Sequence, residues 1–289
     1  MNLLYITDVF CPWCYGFAPV MARLAAEHPE LPVRVLGGDL VDEPCSLTTM
    51  LEEHPSLPAF FARLQETTGQ PTERFRSLLE QAAAGTGPDL RMHSPAMNLP
   101  LAALRHLAPG HELEQMEAFQ LAFYGQGRDV MDPAECAAIA ARWLPAALPP
   151  HVRPEGPPEV LPVAPAADAP GPRPATPSRD MCGTPSGSPA PAPSDAPSGS
   201  PAAVLHAAMA DPAVNAAARQ DTAEAEAVMG EFLIYPTLYL EHDGERILLA
   251  RGYCDHDSVR AKLDEALRGV RPGPVARGAA CGLDGRCSL

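Results

Sequence analysis

The rhythm of apolar and polar positions changes several times along the chain, and each change marks an element. Met1–Thr7 carries the near-continuous apolar run Leu3-Leu4-Tyr5-Ile6, the length and character of a buried strand. From Tyr15 to His28 the spacing turns helical, with Phe17, Val20, Met21, Leu24 and Ala25 returning to one face. Leu31–Leu36 alternates around Val33 and Val35 and predicts a second strand, ending at Gly37-Gly38. From Ser46 to about Trp143 the pattern is helical throughout, with candidate helices at Thr48–Glu53, Leu57–Thr68, Thr72–Ala84, Met97–Leu107, Glu112–Tyr124 and Pro133–Trp143. Cap signals mark the starts: Ser94 precedes Pro95, and Asp132 precedes Pro133 with Glu135 following in capping-box spacing.

Residues 145–201 differ in kind. They are dense in Pro, Ala, Ser and Gly and almost free of large apolar side chains after Leu161. Such a stretch cannot bury enough surface to offset its ordering entropy, so a disordered or polyproline-II-like insertion is expected. Periodicity returns in two helical runs, Ala202–Met209 and Pro212–Met229. Two strand-like runs follow, Pro236–Glu241 and Arg246–Ala250, joined through Asp243-Gly244, a hairpin signal. A last helix is expected from Asp255 to Arg268, and the Gly/Pro/Arg-rich tail 269–289 is expected to be mobile. Setting the helical block aside leaves βαβ followed by ββα. This is an α/β, thioredoxin-like plan interrupted by an all-helical domain. The expected division is 1–45 with 202–268 as one discontinuous thioredoxin-like domain, 46–144 as the helical insertion, 145–201 as the disordered insertion and 269–289 as the cysteine-bearing tail.

The chemistry is carried by Cys11-Pro12-Trp13-Cys14, which falls at the first strand-to-helix turn. Cys11 lies near the N-cap and Pro12 near the first helical position, where a missing N–H costs nothing. A helix N-terminus favours a thiolate, so Cys11 is expected to have a lowered pKa and to act as the attacking sulfur. Cys14 can close the ring and release a mixed disulfide. A zinc site would need two further ligands, and there is no second Cys-x-x-Cys and no His-x-x-x-His. The tail pair Cys281 and Cys287 could supply them, but five residues between the two is loose for a zinc knuckle. A purely structural disulfide would close a small loop and stabilise little. The strand-turn-helix setting favours redox chemistry over both.

Composition narrows the partners. The formal net charge is −15 with a single lysine, Lys262, and no basic stripe, which argues against nucleic acid. No apolar stretch is long enough to cross a bilayer, so no membrane is expected. The sequence opens on the strand without a secretory leader pattern, so a cytoplasmic location is expected. Eight cysteines in that setting are reduced or catalytic rather than a disulfide framework.

The run Tyr5-Ile6-Thr7-Asp8-Val9-Phe10-Cys11-Pro12-Trp13-Cys14-Tyr15-Gly16-Phe17-Ala18-Pro19 resembles the active site of the DsbA family of thioredoxin-fold disulfide oxidoreductases, and within it the FrnE-type predicted protein disulfide isomerases. Ala122–Pro133 resembles a turn of that family's inserted domain, and Phe232–Leu238 its cis-proline loop. The resemblance covers about residues 1–143 and 202–268. It implies Cys11 as attacking thiol, Cys14 as resolving thiol and Pro236 as the cis-proline packed against them. Two departures stand out. Tyr235 is bulkier than the residue usual before that proline, and Tyr5 stands where thioredoxin and DsbA keep a buried acid. Asp8, the nearest acid, is read either as a proton shuttle to Cys14 or as a helix cap. Trp13 is expected to be exposed, as a peptide contact or a shield for the disulfide. His93 and Asn98 are weaker candidates, and Cys45, Cys136 and Cys254 are expected to be buried small residues. No bound cofactor is needed, because the sulfurs carry the electrons. The implied partners are protein or small-molecule disulfides and a cellular thiol reductant or oxidant. A kappa-type glutathione-dependent transferase or isomerase is disfavoured by the presence of both cysteines. A non-catalytic redox sensor remains an alternative. Cys281 and Cys287 form a candidate second dithiol on a tether long enough to search one face of the domain.

Overall fold

The computed structural model describes residues 1–144, 200–231, 233–270, 272–273, 278–282 and 287–288. The expected proline-rich insertion lies, but for its last two residues, outside them. β1 (Asn2–Thr7), α1 (Pro12–Glu27) and β2 (Val33–Gly37) form the opening βαβ unit. β1 runs parallel to β2, with Leu3 opposite Val33 and Thr7 opposite Gly37. Every β1 side chain from Leu3 to Thr7 is buried, which is why the sequence reads as an unbroken apolar run.

The insertion follows as β3 (Cys45–Ser46), α2 (Leu47–Glu53), α3 (Leu57–Thr68), α4 (Glu73–Ala83), β4 (Arg91–Met92), α5 (Ser94–Leu107) and α6 (Glu112–Gln120). A π-helical turn, Leu121–Gly125, then leads to α7 (Pro133–Ala140) and a short 3-10 turn, Ala141–Trp143. The insertion is not helical throughout: β3 and β4 pair antiparallel, Cys45 opposite Met92. Two-residue strands are too short for alternation to reveal. Asp132 caps α7, accepting from the N–H groups of Ala134 and Glu135.

The chain re-enters through α8 (Pro201–Met209) and α9 (Pro212–Met229), then β5 (Ile234–Tyr235), β6 (Thr237–His242), β7 (Glu245–Arg251) and α10 (His256–Leu267). Asp243 and Gly244 both take positive φ, 50° and 80°, as the expected tight hairpin requires. β6 pairs antiparallel with β1, Asn2 opposite Glu241, and the sheet order is β2-β1-β6-β7. The central strand thus takes one neighbour from each side of the insertion. The result is an α/β thioredoxin-like fold carrying a helical insertion, as the sequence pattern predicts.

The tail departs from expectation. β8 (Ala280–Gly282) pairs antiparallel with β5, and β9 (Cys287–Ser288) pairs antiparallel with β8. β5, β8 and β9 make a separate three-stranded sheet, so these tail residues are paired strands. Backbone pairing of this kind needs no hydrophobic rhythm, so composition alone gave no sign of it.

An aromatic cluster fixes the insertion to α1. Tyr15 stacks on Tyr124 at 5.4 Å, Tyr124 lies 5.0 Å from Phe75 and 5.5 Å from Phe61, and Phe123 lies 5.1 Å from Phe10. Such pairs contribute about 0.5–1.5 kcal/mol each beyond the burial of their surface.

Candidate active site

Cys11 is the N-cap of α1, with φ −91° and ψ 111°, and Pro12 occupies the first turn. Its Sγ accepts a hydrogen bond from the Cys14 N–H at 3.2 Å, and its carbonyl accepts the first helical bond from Tyr15. Both cysteines are unbridged and fully buried. The helix terminus is therefore placed as expected. Burial pushes the Cys11 thiol well above its ordinary range, the neighbouring Cys14 sulfur adds to this, and the negative charge of Asp8 adds a little more. The direction is the reverse of the lowered pKa expected from the helix end alone.

Trp13 is not exposed. It is 1% accessible and lies 5.7 Å from both Phe60 of α3 and Tyr253 of the loop after β7. The covering rings come from residues far away in sequence, so adjacency to the cysteines could not reveal them. Trp13 is packed between these two rings, and among the described residues its Nε1 has no hydrogen-bond partner.

Asp8 does not cap α1. Its Oδ1 accepts from the Phe10 N–H at 2.7 Å and its Oδ2 from the Leu40 N–H at 3.1 Å. The carboxylate thus ties the dithiol turn to the loop after β2, and burial raises its pKa. Two residues missed from sequence complete this brace. Gln120 donates through Nε2 to the Asp8 carbonyl at 3.0 Å and to Thr7 Oγ1 at 3.2 Å. Tyr124, inside the π-helical turn, donates to the Phe10 carbonyl at 2.6 Å. Tyr5 is buried and its hydroxyl is pushed well up, chiefly by burial, so that position offers no proton acceptor near neutral pH.

The loop from β5 to β6 lies beside this turn. The Tyr235–Pro236 peptide bond is cis, as the resemblance implied. Tyr235 is buried, and its hydroxyl accepts from the Asp39 N–H at 3.1 Å, so the bulky ring reaches the loop after β2. Gly38 makes room for it: a Cβ there would meet the Tyr235 ring at 2.2 Å. The Pro236 carbonyl accepts from Gly252 N–H at 2.7 Å. On the other edge of β5, Tyr235 stands opposite Cys281, and Cys281 stands opposite Cys287.

The remaining candidates serve elsewhere. Asn98 is buried and donates to the Gly38 carbonyl at 2.8 Å and to Thr222 Oγ1 at 3.0 Å, steadying the glycine loop. His93 Nε2 lies 3.2 Å from the Asp42 carbonyl at the start of α5. Cys136 is buried on α7, its pKa pushed up to about 12 chiefly by burial, while Cys45 and Cys254 are half-buried.

A paired dithiol at a helix N-terminus, next to a cis-proline loop on a thioredoxin-like sheet, is the site arrangement of the DsbA-like fold. Solved structures agree on that fold. A protein from Nitrosomonas europaea, provisionally named a protein disulfide isomerase, superposes with a TM-score of 0.60 at 20% identity, over 93% of this chain and 98% of its own. The cytosolic disulfide reductase DsbM from Pseudomonas aeruginosa gives 0.56 at 20% identity, over 93% and 100%. A provisional DsbA oxidoreductase from Streptomyces coelicolor gives 0.53 at 20% identity, over 100% and 99%. No family model matches the sequence, and no curated protein matches it.

Proposed function

We propose that the chain is a cytoplasmic thiol–disulfide reductase of the DsbA-like, FrnE-type group. The observation that carries this is the Cys14 N–H donated to Cys11 Sγ at the head of α1, beside the Tyr235–Pro236 loop. Cys11 attacks a substrate disulfide and forms a mixed disulfide, releasing one substrate thiol. Cys14 then attacks the Cys11 sulfur and releases the second, leaving Cys11–Cys14 oxidised. Two molecules of a cellular thiol restore the pair and leave as their own disulfide.

The reductive direction rests on the environment of Cys11. Oxidising pairs owe their strength to a stabilised thiolate in the reduced form. Here burial first, and then the neighbouring Cys14 sulfur, oppose the thiolate more than the Cys14 N–H favours it. DsbM, which shares the fold, is named a cytosolic disulfide reductase and has been solved with GSH, which makes glutathione the first thiol to test. Among the described residues no helix is long and apolar enough to cross a membrane.

Insulin reduction followed by turbidity, with glutathione or dithiothreitol as electron source, tests the assignment. Cys11→Ser should abolish turnover, and Cys14→Ser should accumulate a mixed disulfide on Cys11. Full activity in Cys11→Ser would overturn it. A reduction potential near that of strong protein oxidants would overturn the direction.

A further inference from the structure

We propose that the Tyr5 hydroxyl is the hydrogen-bond donor that stabilises the Cys14 sulfur whenever that sulfur carries charge. The proposal rests on the redox reading of Cys11–Cys14 and adds the group that makes the second sulfur usable. An idle hydroxyl carries it. Tyr5 is 1% accessible, and among the described residues its hydroxyl has no hydrogen-bond partner. A buried hydroxyl left unpaired costs stability, so its presence calls for a reason. Side chains alternate along a strand, so Tyr5 and Thr7 share one face of β1. The Tyr5 ring lies 5.9 Å from Phe17. Phe17 stands three residues beyond Cys14 on α1, so the two share a side of that helix and Tyr5 lies under it.

The electrostatics agree with this placement. Burial acts most on the Tyr5 hydroxyl, the Cys14 sulfur comes next, the Thr7 hydroxyl pulls the other way as a nearby donor does, and Cys11 and Glu117 act less. The phenol is therefore protonated throughout the neutral range. It can donate a hydrogen bond to a thiolate but cannot take up its proton. Other groups near Cys14 are engaged. Tyr124 donates to the Phe10 carbonyl at 2.6 Å, and the Tyr235 hydroxyl is turned to the Asp39 N–H at 3.1 Å. Both Asp8 oxygens accept backbone N–H groups, and the Asp8 charge bears on Cys11. The Cys14 N–H goes to Cys11 Sγ and the Tyr15 N–H to the Cys11 carbonyl, so neither is aimed at the Cys14 sulfur. Gln120 Nε2 donates to Thr7 Oγ1 at 3.2 Å and fixes the hydroxyl beside Tyr5 on the same face.

Charge arises on Cys14 at two points of the cycle. Once a substrate disulfide is opened, Cys14 gives up its proton and attacks Cys11 Sγ. The Cys11–Cys14 bond forms, the bond from Cys11 to the substrate sulfur breaks, and the released substrate thiolate takes up the proton. Later a cellular thiolate attacks Cys11, the Cys11–Cys14 bond breaks, and its electron pair stays on Cys14. A second cellular thiol then removes the first as their disulfide, and both cysteines end protonated. At both points the charge develops on a fully buried sulfur. A buried charge without a partner is costly, and a hydrogen bond to a charged group is roughly twice as strong as a neutral one. Tyr5 keeps its proton throughout, so the balance of protons and electrons is unaltered.

Tyr5→Phe in the full-length chain removes the hydroxyl and keeps the ring. Reduced protein is mixed rapidly with dithiobis(nitrobenzoate). Attack by Cys11 releases a first nitrothiobenzoate and closure by Cys14 releases a second, so absorbance resolves the two steps. The second phase should slow by on the order of 10- to 100-fold, the range of one hydrogen bond to a charged group, with the first phase unchanged. The Tm should be no lower than that of wild type, because the hydroxyl removed had no partner. An unchanged second phase would overturn the proposal. Equal slowing of both phases, or slowing that comes with a lowered Tm, would mark a packing defect and overturn it too. A tyrosine fluorinated beside its hydroxyl, put in place of Tyr5, is a stronger donor of nearly the same shape. It should close at least as fast as wild type, and slower closure would overturn the assignment. The two readings fail separately. If Cys11→Ser abolishes insulin reduction but Tyr5→Phe closes normally, the donor is wrong and the reductase stands. If Tyr5→Phe slows closure but Cys11→Ser still reduces insulin, the donor stands and the reductase assignment fails.

Discussion

Trp13→Ala tests whether the dithiol is closed over in solution. The indole is 1% accessible and is held between Phe60 and Tyr253 at 5.7 Å each. Burying a tryptophan removes about 150–250 Å² from water, and truncating one to alanine in a packed site costs about 3–5 kcal/mol. For a chain of this ordered size that corresponds to a fall in Tm of roughly 6–20 °C. Trp13 lies between Cys11 and Cys14 in sequence and both are buried, so the loss falls next to the dithiol and favours local opening there. A change of about 3 kcal/mol in opening raises the iodoacetamide labelling rate of Cys11 by on the order of 100-fold. Trp13→Phe separates volume from polarity. It removes an indole N–H that has no partner, which offsets part of the lost packing, and the net cost should stay below about 2 kcal/mol. Thermal unfolding by circular dichroism and timed alkylation with mass spectrometry read both quantities. A stability loss under about 1 kcal/mol in the alanine variant, with an unchanged labelling rate, would refute the closed-lid account.

Labelling of Cys11 in the reduced wild type should keep rising with pH to 9 and beyond, because burial raises its pKa; a plateau reached by pH 7 would contradict this. Among the described residues the shielded Oε1 of Glu117 has no partner, and burial first, then Glu114, pushes its pKa up to about 8 against the opposing pull of Arg142. Its folded pKa exceeds its unfolded one, so its contribution is most favourable below the ordinary carboxylate range and is lost as pH rises through about 8. Glu117→Gln should therefore flatten the fall in Tm between pH 5 and 9, and an unchanged slope would rule this out. Gln120→Ala strips the Asp8 carbonyl and Thr7 hydroxyl of their donor and should cost about 1–3 kcal/mol in urea unfolding; a neutral result would mean that water or another group replaces it.

How much of this was legible depends on where the information lies. The dithiol at the head of a helix was readable because all its determinants are adjacent: the apolar strand, Cys11 as cap, Pro12 in the first turn and the helical spacing after Tyr15. The β6–β7 hairpin was readable from Asp243-Gly244 for the same reason. What failed was decided across the chain. The covering of Trp13 comes from Phe60 and Tyr253, and the upward shift of Cys11 follows chiefly from its own burial. Gln120 and Tyr124 sit on an ordinary-looking helical face until the fold brings them to the Asp8 and Phe10 carbonyls. The tail's strands are held by main-chain bonds to residues 234–235 and 251–253, and main-chain bonds leave little trace in side-chain pattern.

The β1–β6 ladder has a consequence in time. Asn2 and Glu241 face each other from 239 residues apart. At a synthesis rate of about 5–20 residues per second, the central strand waits roughly 12–50 s for its second neighbour. During that interval one edge of β1 is unpaired, and Tyr253, which will close over Trp13, has not been made. Cys11 and Cys14 are then open to any thiol or disulfide nearby. The nascent chain meets the redox chemistry of its surroundings before it has a site with which to control it.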